Sequence, residues 1–281
     1  MNDAYWLVGL IDRPLTPSFL ATATPLEQDS PTPLEQVECG PGLVALACRV
    51  DPRFVDAALN RPEGPDPLWI APRAARHAAL QEEVLQHATL VPARFGLVFG
   101  SRDALRQRIR DRADSWREAL DAVADSVEWT LAGLLDPIHA RAARVAHDPL
   151  WRERFHALPS SPGARYLQEK AFHRELDQTL QRDALAHADQ LVEDLSDLIR
   201  DVVSLSPRAK AVGSTPAPAE IPVFRRAFLL RRGSQDRFLE RLESRASDLL
   251  AEGLVLEWSG PWPAHHCLPD TLNEVGSDPI S

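Results

Sequence analysis

The chain has 281 residues, which is enough for two domains with separate cores because a domain usually takes about 100 to 200 residues. Its 41 acidic and 31 basic residues give a formal net charge of −10, and this argues against a broad nucleic-acid surface, which needs a positive face. No apolar run approaches the roughly 20 residues that cross a bilayer. With scattered cysteines and no secretory signal at the start, the sequence predicts a cytoplasmic protein that neither spans a membrane nor binds nucleic acid.

The first half of the chain is predicted to form an N-terminal α+β domain over residues 1–125. Its predicted elements are a strand at Tyr5 to Ile11, a loop at Pro14 to Pro33, a strand at Gly42 to Val50, a helix at Ala71 to Ala88, a strand at Thr89 to Gly100 and a helix from Ser101 to about Asp125. The strands are short runs of apolar, branched and aromatic residues, whereas the last helix has apolar residues spaced by three and four. The five prolines of the segment from Pro14 to Pro33 favour a loop, since they cannot sustain a helix or a central strand.

A second α+β domain is predicted over residues 126–268, followed by a disordered acidic tail at 269–281. Its predicted elements are a strand at Val127 to Leu134, short proline-broken pieces, a helix from Gly163 to about Leu205, a linker at Ser206 to Pro222, a strand at Val223 to Leu230, a helix capped by Ser234 and a strand at Leu254 to Trp258. Gly253 suits the left-handed residue that closes a helix, and Gly260 to Pro263 stops the last strand.

The long helix would reach about 60 Å if unbroken, which is more than a compact domain of this size spans, so part of it should project, bend or meet a partner. The order strand, long helix, linker, strand, helix, strand builds a small sheet with helices on one face. It resembles a modified ferredoxin-like fold in which a linker has replaced one strand.

Six short segments occur in an order that is similar to the gas vesicle GvpF/GvpL family. They are Tyr5 to Ile11, Arg94-Phe95-Gly96-Leu97-Val98-Phe99, Glu128-Trp129, Gly163-Ala164-Arg165-Tyr166-Leu167, Ala227-Phe228-Leu229-Leu230 and Gly260-Pro261-Trp262-Pro263. Together they cover nearly the whole chain. It departs from the family pattern at Leu97, where the family usually has Thr, and at Ala264 to Cys267, where it has Pro-Tyr and a small polar and an aromatic residue.

The resemblance implies a two-domain, non-enzymatic accessory factor for gas vesicle assembly. It further implies that the protein binds the very apolar shell protein, works with other gas vesicle accessory proteins, and is cytoplasmic and associated with gas vesicles. The binding would shield apolar surface through helix-in-groove or strand-addition contacts. The candidates for structural or partner-binding roles are Arg94, Phe95, Glu128, Trp129, Tyr166 and Trp262.

Arg94 and Glu128 form the best candidate for a buried polar constellation, because each is a charged residue within an apolar strand candidate. We favour a cross-strand or interdomain ion pair over an anion-binding or peptide-binding site, since an isolated buried charge is costly. The alternative function is a small-molecule-binding protein or enzyme that uses an interdomain pocket around these two residues.

The sequence lacks phosphate-binding, dinucleotide-binding, His-Glu-x-x-His and Cys-x-x-Cys motifs, so it predicts no catalytic residues and no cofactor. His265-His266-Cys267 contains good zinc ligands, but alternate residues of an extended segment point to opposite sides. At most His265 and Cys267 could converge, and two further ligands would be needed. We therefore expect no metal site there and favour a plain surface or half-buried terminus.

Overall fold

The computed structural model describes residues 4–26, 32–53, 66–207 and 220–268. Within them the chain divides into two compact units. The first unit runs to Val127 and includes the residues from Trp262 onward, and the second runs from Glu128 to Pro261. The predicted acidic tail at 269–281 and most of the predicted linker lie outside the described residues.

The first unit contains a five-stranded sheet with the order β2-β3-β1-β4, in which β5 also pairs with β1. Its strands are β1 (Ala4–Ile11), β2 (Leu34–Gly40), β3 (Leu43–Val50), β4 (Leu90–Pro92) and β5 (Val98–Phe99). Its helices are α1 (Pro17–Thr22), α2 (Pro67–Leu85), α3 (Arg102–Arg110) and α4 (Ala113–Ala122).

Strand β1 lies at the centre of the first unit and is buried along almost its whole length. Helix α2 packs against it with one face, which carries Leu80, Val84 and Leu85. A near-continuous apolar run such as β1 is typical of a strand that is covered on both faces. The predicted strands at Tyr5 to Ile11 and Gly42 to Val50 are therefore confirmed.

Three details of the first unit differ from the prediction. The predicted strand from Thr89 to Gly100 is broken, because Pro92 ends β4 and Gly96 takes a φ of +90°, in the left-handed region that favours glycine. The predicted helix from Ser101 to Asp125 is two helices separated at Asp111 and Arg112. Strand β2 and the short helix α1 were not expected.

The second unit is built on a four-stranded sheet with the order β7-β8-β6-β9. Its strands are β6 (Ser126–Leu135), β7 (Ile199–Leu205), β8 (Ile221–Arg231) and β9 (Leu254–Trp262). Its helices are α5 (Pro137–His147), α6 (Pro149–His156), α7 (Pro162–Asp194) and α8 (Gln235–Ala251). The Gly253 residue between α8 and β9 has a φ of +84°, as its predicted role in closing a helix requires.

This strand order, with α7 after β6 and α8 after β8, is that of a ferredoxin-like split unit. The predicted α+β class with a ferredoxin-like second domain is confirmed. The expectation that a linker replaces one strand was wrong, because α7 ends at Asp194 and Ile199–Leu205 forms edge strand β7. The apolar spacing of the helix continues into this segment by coincidence, while its branched residues pair with β8.

Three of the prolines that break the sequence pattern of the second domain begin helices. Pro137, Pro149 and Pro162 each occupy the first turn of α5, α6 and α7, where a missing amide hydrogen costs nothing. Asp136 and Asp148 cap α5 and α6 by accepting hydrogen bonds from main-chain amides. The result is a layer of three helices, which we call the helix layer.

Candidate functional site

Phe95 of the Arg-Phe-Gly segment belongs to an aromatic cluster in the first unit. Its ring centroid lies 4.8 Å from that of Trp6 and 5.8 Å from that of His77, both in edge-on orientations. The Ala93 amide donates to the Val8 carbonyl and the Leu7 amide donates to the Leu97 carbonyl, so the segment is held against β1 from both ends. Phe95 therefore has a packing role here.

His77 lies at the centre of a buried polar network beneath this cluster. Trp6 Nε1 donates to His77 Nδ1 at 3.2 Å, so the other ring nitrogen carries the proton and lies 3.1 Å from the Ala93 carbonyl oxygen. Gln81 Nε2 also donates to the Val8 carbonyl at 2.7 Å. Burial lowers the pKa of His77 below its usual value of 6.5, which keeps the ring neutral.

Arg94 and Glu128 lie in different units and differ in exposure. Arg94 is exposed and lies between β4 and β5, so its expected place within a continuous strand was wrong. Glu128 lies on β6 and is only 1% exposed. The ion pair between them stays a prediction, as does the alternative function that used these two residues.

Trp129, the neighbour of Glu128, contributes to the core of the second unit. Its side chain is 7% exposed, its Nε1 donates to Gln235 Oε1 at 3.2 Å, and its ring lies 6.1 Å from that of Phe238. These contacts tie β6 to α8. The hydrogen bond satisfies the indole donor that burial would otherwise leave unpaired.

Tyr166 lies in the second turn of α7 and is 66% exposed, and Leu167 beside it is 68% exposed. The first buried residue of α7 is Phe172, so the start of the helix extends beyond the core, as its predicted length implied. Tyr166 lines one end of a groove with a volume of about 620 Å³. Arg141 on α5 and a stripe of α7 that runs from Tyr166 to Gln181 form its walls.

An apolar pocket of about 320 Å³ adjoins this groove and shares Arg141 and His173 with it. Its apolar lining consists of Ala142, Val145, Ala146, Phe155, Phe172 and Leu176. We call the groove and this pocket together the seam groove, since both follow the seam between α5 and α7. Phe172 and Leu176 are at most 5% exposed and belong to the core cluster of the helix layer.

Ion pairs fix the helices on both sides of the seam groove. Arg141 donates to both carboxylate oxygens of Asp177, at 2.7 and 2.6 Å, and Arg144 donates to Asp183 at 2.6 Å. The hydrogen bonds to Asp177 raise the pKa of Arg141 further. Two-pronged arginine–carboxylate pairs have a defined geometry, so they hold α5 at a fixed distance from α7.

A further pair holds the third helix of the layer. Arg154 on α6 donates two hydrogen bonds to Glu175 on α7, at 2.9 and 2.6 Å, and its guanidinium carbon lies 4.5 Å from the Trp151 ring centroid. The Arg154 hydrogen bonds lower the pKa of Glu175 below its usual range. Ion pairs therefore hold both α5 and α6 against α7, and these three helices line the groove.

Ile138 and Leu150, exposed by 69% and 61%, add to the apolar surface of the helix layer. They lie directly after the capping Asp-Pro steps of α5 and α6, and Tyr166 and Leu167 lie in the first two turns of α7. Sequence reasoning missed Ile138 and Leu150 because it treated the prolines as interruptions. Part of the signal was present, since an Asp followed by a Pro is a helix start.

The remaining candidates lie near the end of the described chain. Trp262 is half-buried and groups with the first unit. His265 is exposed, and Cys267 is 6% exposed. Among the described residues, no group of three or more His, Cys, Asp or Glu side chains is placed to hold a metal ion. Across the same residues, no helix is both long and apolar enough to cross a membrane.

The fold places the chain in a class of two-domain α+β proteins with known structures. The crystal structure of the gas vesicle protein GvpF from Anabaena sp. PCC7120 matches with a TM-score of 0.66 and 14% identity, over 94% of this chain and 97% of that one. GvpF from Microcystis aeruginosa matches with a TM-score of 0.60 and 15% identity, over 95% of this chain and 98% of that one. At such identities the likeness shows a shared fold.

The family model described as gas vesicle synthesis protein GvpL/GvpF matches residues 11–268, so the chain belongs to this family. Gas vesicle protein L1 of Halobacterium salinarum is 24% identical over 184 residues, which are 65% of this chain and 64% of that protein. The chain therefore matches less than two thirds of that relative's length. The resemblance that the six segments carried is confirmed, and membership of the family implies a role in gas vesicle formation.

Proposed function

We propose that the protein is a non-enzymatic assembly factor that binds the apolar gas vesicle shell protein before or during its polymerisation. Binding would take place in the cytoplasm, at or near the growing vesicle, and other gas vesicle accessory proteins would bind the same factor. Membership of the GvpL/GvpF family supports a role at gas vesicles. The exposed apolar residues of the helix layer support the binding of an apolar partner.

The observation that carries this proposal is the exposure of large apolar side chains in one layer of helices. Ile138, Leu150, Tyr166 and Leu167 are each more than 60% exposed and all lie in the first two turns of their helices. Single exposed apolar residues are ordinary, but four of them on the three helices that also line an apolar groove are typical of a protein-binding surface. An apolar shell protein is a partner that such a surface would shield from water.

Co-expression with the shell protein tests the proposal. The wild-type protein should raise the soluble fraction of the shell protein and co-purify with it. The triple variant Ile138→Ser, Leu150→Ser and Leu167→Ser should lose both effects while keeping its own fold, because exposed substitutions change stability by less than about 0.5 kcal/mol each.

A matched control carries the same change at three other exposed leucines, Leu68, Leu185 and Leu250, which lie outside the starts of the three helices. This Leu→Ser variant should behave like the wild type. If the wild-type protein neither solubilises the shell protein nor co-purifies with it, the proposed function is wrong. If both triple variants lose the effect equally, the apolar residues at the starts of the three helices are not the specific binding surface.

A further inference from the structure

We infer that the seam groove binds an acidic amphipathic helix of a partner protein, with the apolar face of that helix in the pocket and its carboxylates beside Lys170 and Arg174. This inference rests on the proposed function only in taking another gas vesicle protein as the source of the helix. The preference of the groove for acidic helices can be measured separately.

The shape of the seam groove suits the apolar side chains of a helix. The pocket of about 320 Å³ has a floor of Phe172 and Leu176, and its wall contains the exposed alanines Ala142 and Ala146, one turn apart on α5. Small residues at this spacing allow a partner to approach the α5 backbone closely. Helix-in-groove recognition inserts large apolar residues spaced by three, four and seven into such a depression.

The length of the groove fits a short helix of four turns. Its lining on α7 runs from Tyr166 to Gln181. Fifteen steps along a helix at 1.5 Å each span about 22 Å, so a partner helix of about 16 residues would fill the groove. Tyr166 lies at one end, where its exposed ring would contact the end of the partner helix.

The charges of the groove indicate whether the partner helix should be acidic or basic. The two carboxylates of its lining are paired, Asp177 with Arg141 and Glu169 with Arg165 at 3.8 Å. Lys170 and Arg174 also line the groove, and neither forms an ion pair within the described part of the chain. The chain as a whole has a net charge of −10, so these two cations form a local exception. Such an arrangement favours acidic partners and disfavours basic ones.

The test uses two synthetic helical peptides of about 16 residues with the same leucine face, matching the span of the groove. One peptide has glutamates beside the leucine face, and the other has lysines there. Binding to the full-length protein is measured by fluorescence anisotropy at low and high salt. The acidic peptide should bind at least about tenfold more tightly than the basic one, and salt should reduce the difference.

Two variants locate the binding. Lys170→Glu combined with Arg174→Glu should reverse the preference between the peptides. Ala142→Trp should fill the pocket and weaken binding of the acidic peptide by about thirtyfold or more. Ala186→Trp is the matched control, because Ala186 is an exposed alanine on α7 beyond the lining of the groove. It should bind like the wild type. Unfolding midpoints of all variants should stay close to that of the wild type.

Equal affinity for the two peptides, or binding that Ala142→Trp leaves unchanged, would overturn the inference. Self-association that Ala142→Trp abolishes, without peptide binding, would instead identify a second copy as the occupant and would also overturn it. If the wild type solubilises the shell protein and Ala142→Trp does so equally, the proposed function stands without the groove. If acidic peptides bind and the shell protein is not solubilised, the groove stands and the proposed function fails.

Discussion

Gly133 on β6 leaves room for the ring of Phe224 on the neighbouring strand β8. A Cβ atom at Gly133 would lie 2.1, 2.4 and 2.6 Å from three ring atoms of Phe224, which is itself only 4% exposed. Gly133 has an ordinary φ, so a substitution would meet a steric conflict and no backbone strain. Gly133→Ala therefore isolates the packing between two strands of the sheet.

The expected magnitude follows from the distances. Carbon atoms in contact lie about 3.5 Å apart or more, so the Phe224 ring would have to move by about 1.4 Å in a packed core. Forcing extra atoms into such a site usually costs about 1 to 3 kcal/mol and occasionally more. We expect Gly133→Ala to lower the free energy of unfolding by about 2 to 4 kcal/mol.

Urea denaturation followed by circular dichroism measures this loss and its origin. Phe224→Leu alone should cost about 1 to 1.5 kcal/mol, and the double variant should be at least about 1 kcal/mol more stable than the sum of the two losses predicts. Gly233→Ala is the control, since nothing lies within 4 Å of its Cβ, and it should stay within about 0.5 kcal/mol of the wild type. Strict additivity of Gly133→Ala and Phe224→Leu would refute the steric explanation.

Three further predictions concern charge and pH. Arg94→Ala and Glu128→Ala should be non-additive in a thermal-unfolding double-mutant cycle by more than about 0.5 kcal/mol if they pair, and additivity would exclude the pair. Burial lowers the pKa of His77 in the folded state, so as the pH falls the unfolded state binds a proton before the folded state does. The free energy of unfolding should therefore keep its full value above pH 6.5 and should fall by at most about 1.4 kcal/mol per pH unit below it. His77→Gln should remove that part of the pH dependence, and an unchanged profile would contradict the assignment. Burial, together with the nearby Glu35 charge, raises the pKa of Cys48 to about 12, and burial also raises the pKa of Cys39. Neither thiol should therefore react with a thiol reagent at pH 8 until the protein unfolds. Rapid labelling of the native protein would contradict this prediction.

Much of the fold could be predicted from local patterns. The continuous apolar run of β1 and the glycine that closes α8 are determined by neighbouring residues, and both were predicted from the sequence. The end of α7 is different, because the apolar spacing continues past Asp194 and no glycine or proline marks the stop. Pairing with β8 decides that Ile199–Leu205 is a strand, and this contact is distant in sequence.

The candidate site was predicted only in part, because it also depends on contacts between residues that are distant in sequence. Tyr166 was singled out from its motif, but its place at the end of a groove depends on how α5 and α6 pack against α7. The cations Lys170 and Arg174 look like ordinary surface residues in the sequence. Their significance follows only when the pairing of Asp177 and Glu169 is known.

Site-specific photo-crosslinking in cells that express both proteins tests most directly whether the helix layer contacts the shell protein. A photoreactive residue in place of Leu167 lies among the exposed apolar residues of the helix layer, and one in place of Leu250 lies on α8, outside that layer. We expect a crosslinked adduct with the shell protein from position 167 and little or none from position 250. Equal adducts from both positions, or none from position 167 when the two proteins co-purify, would contradict this contact.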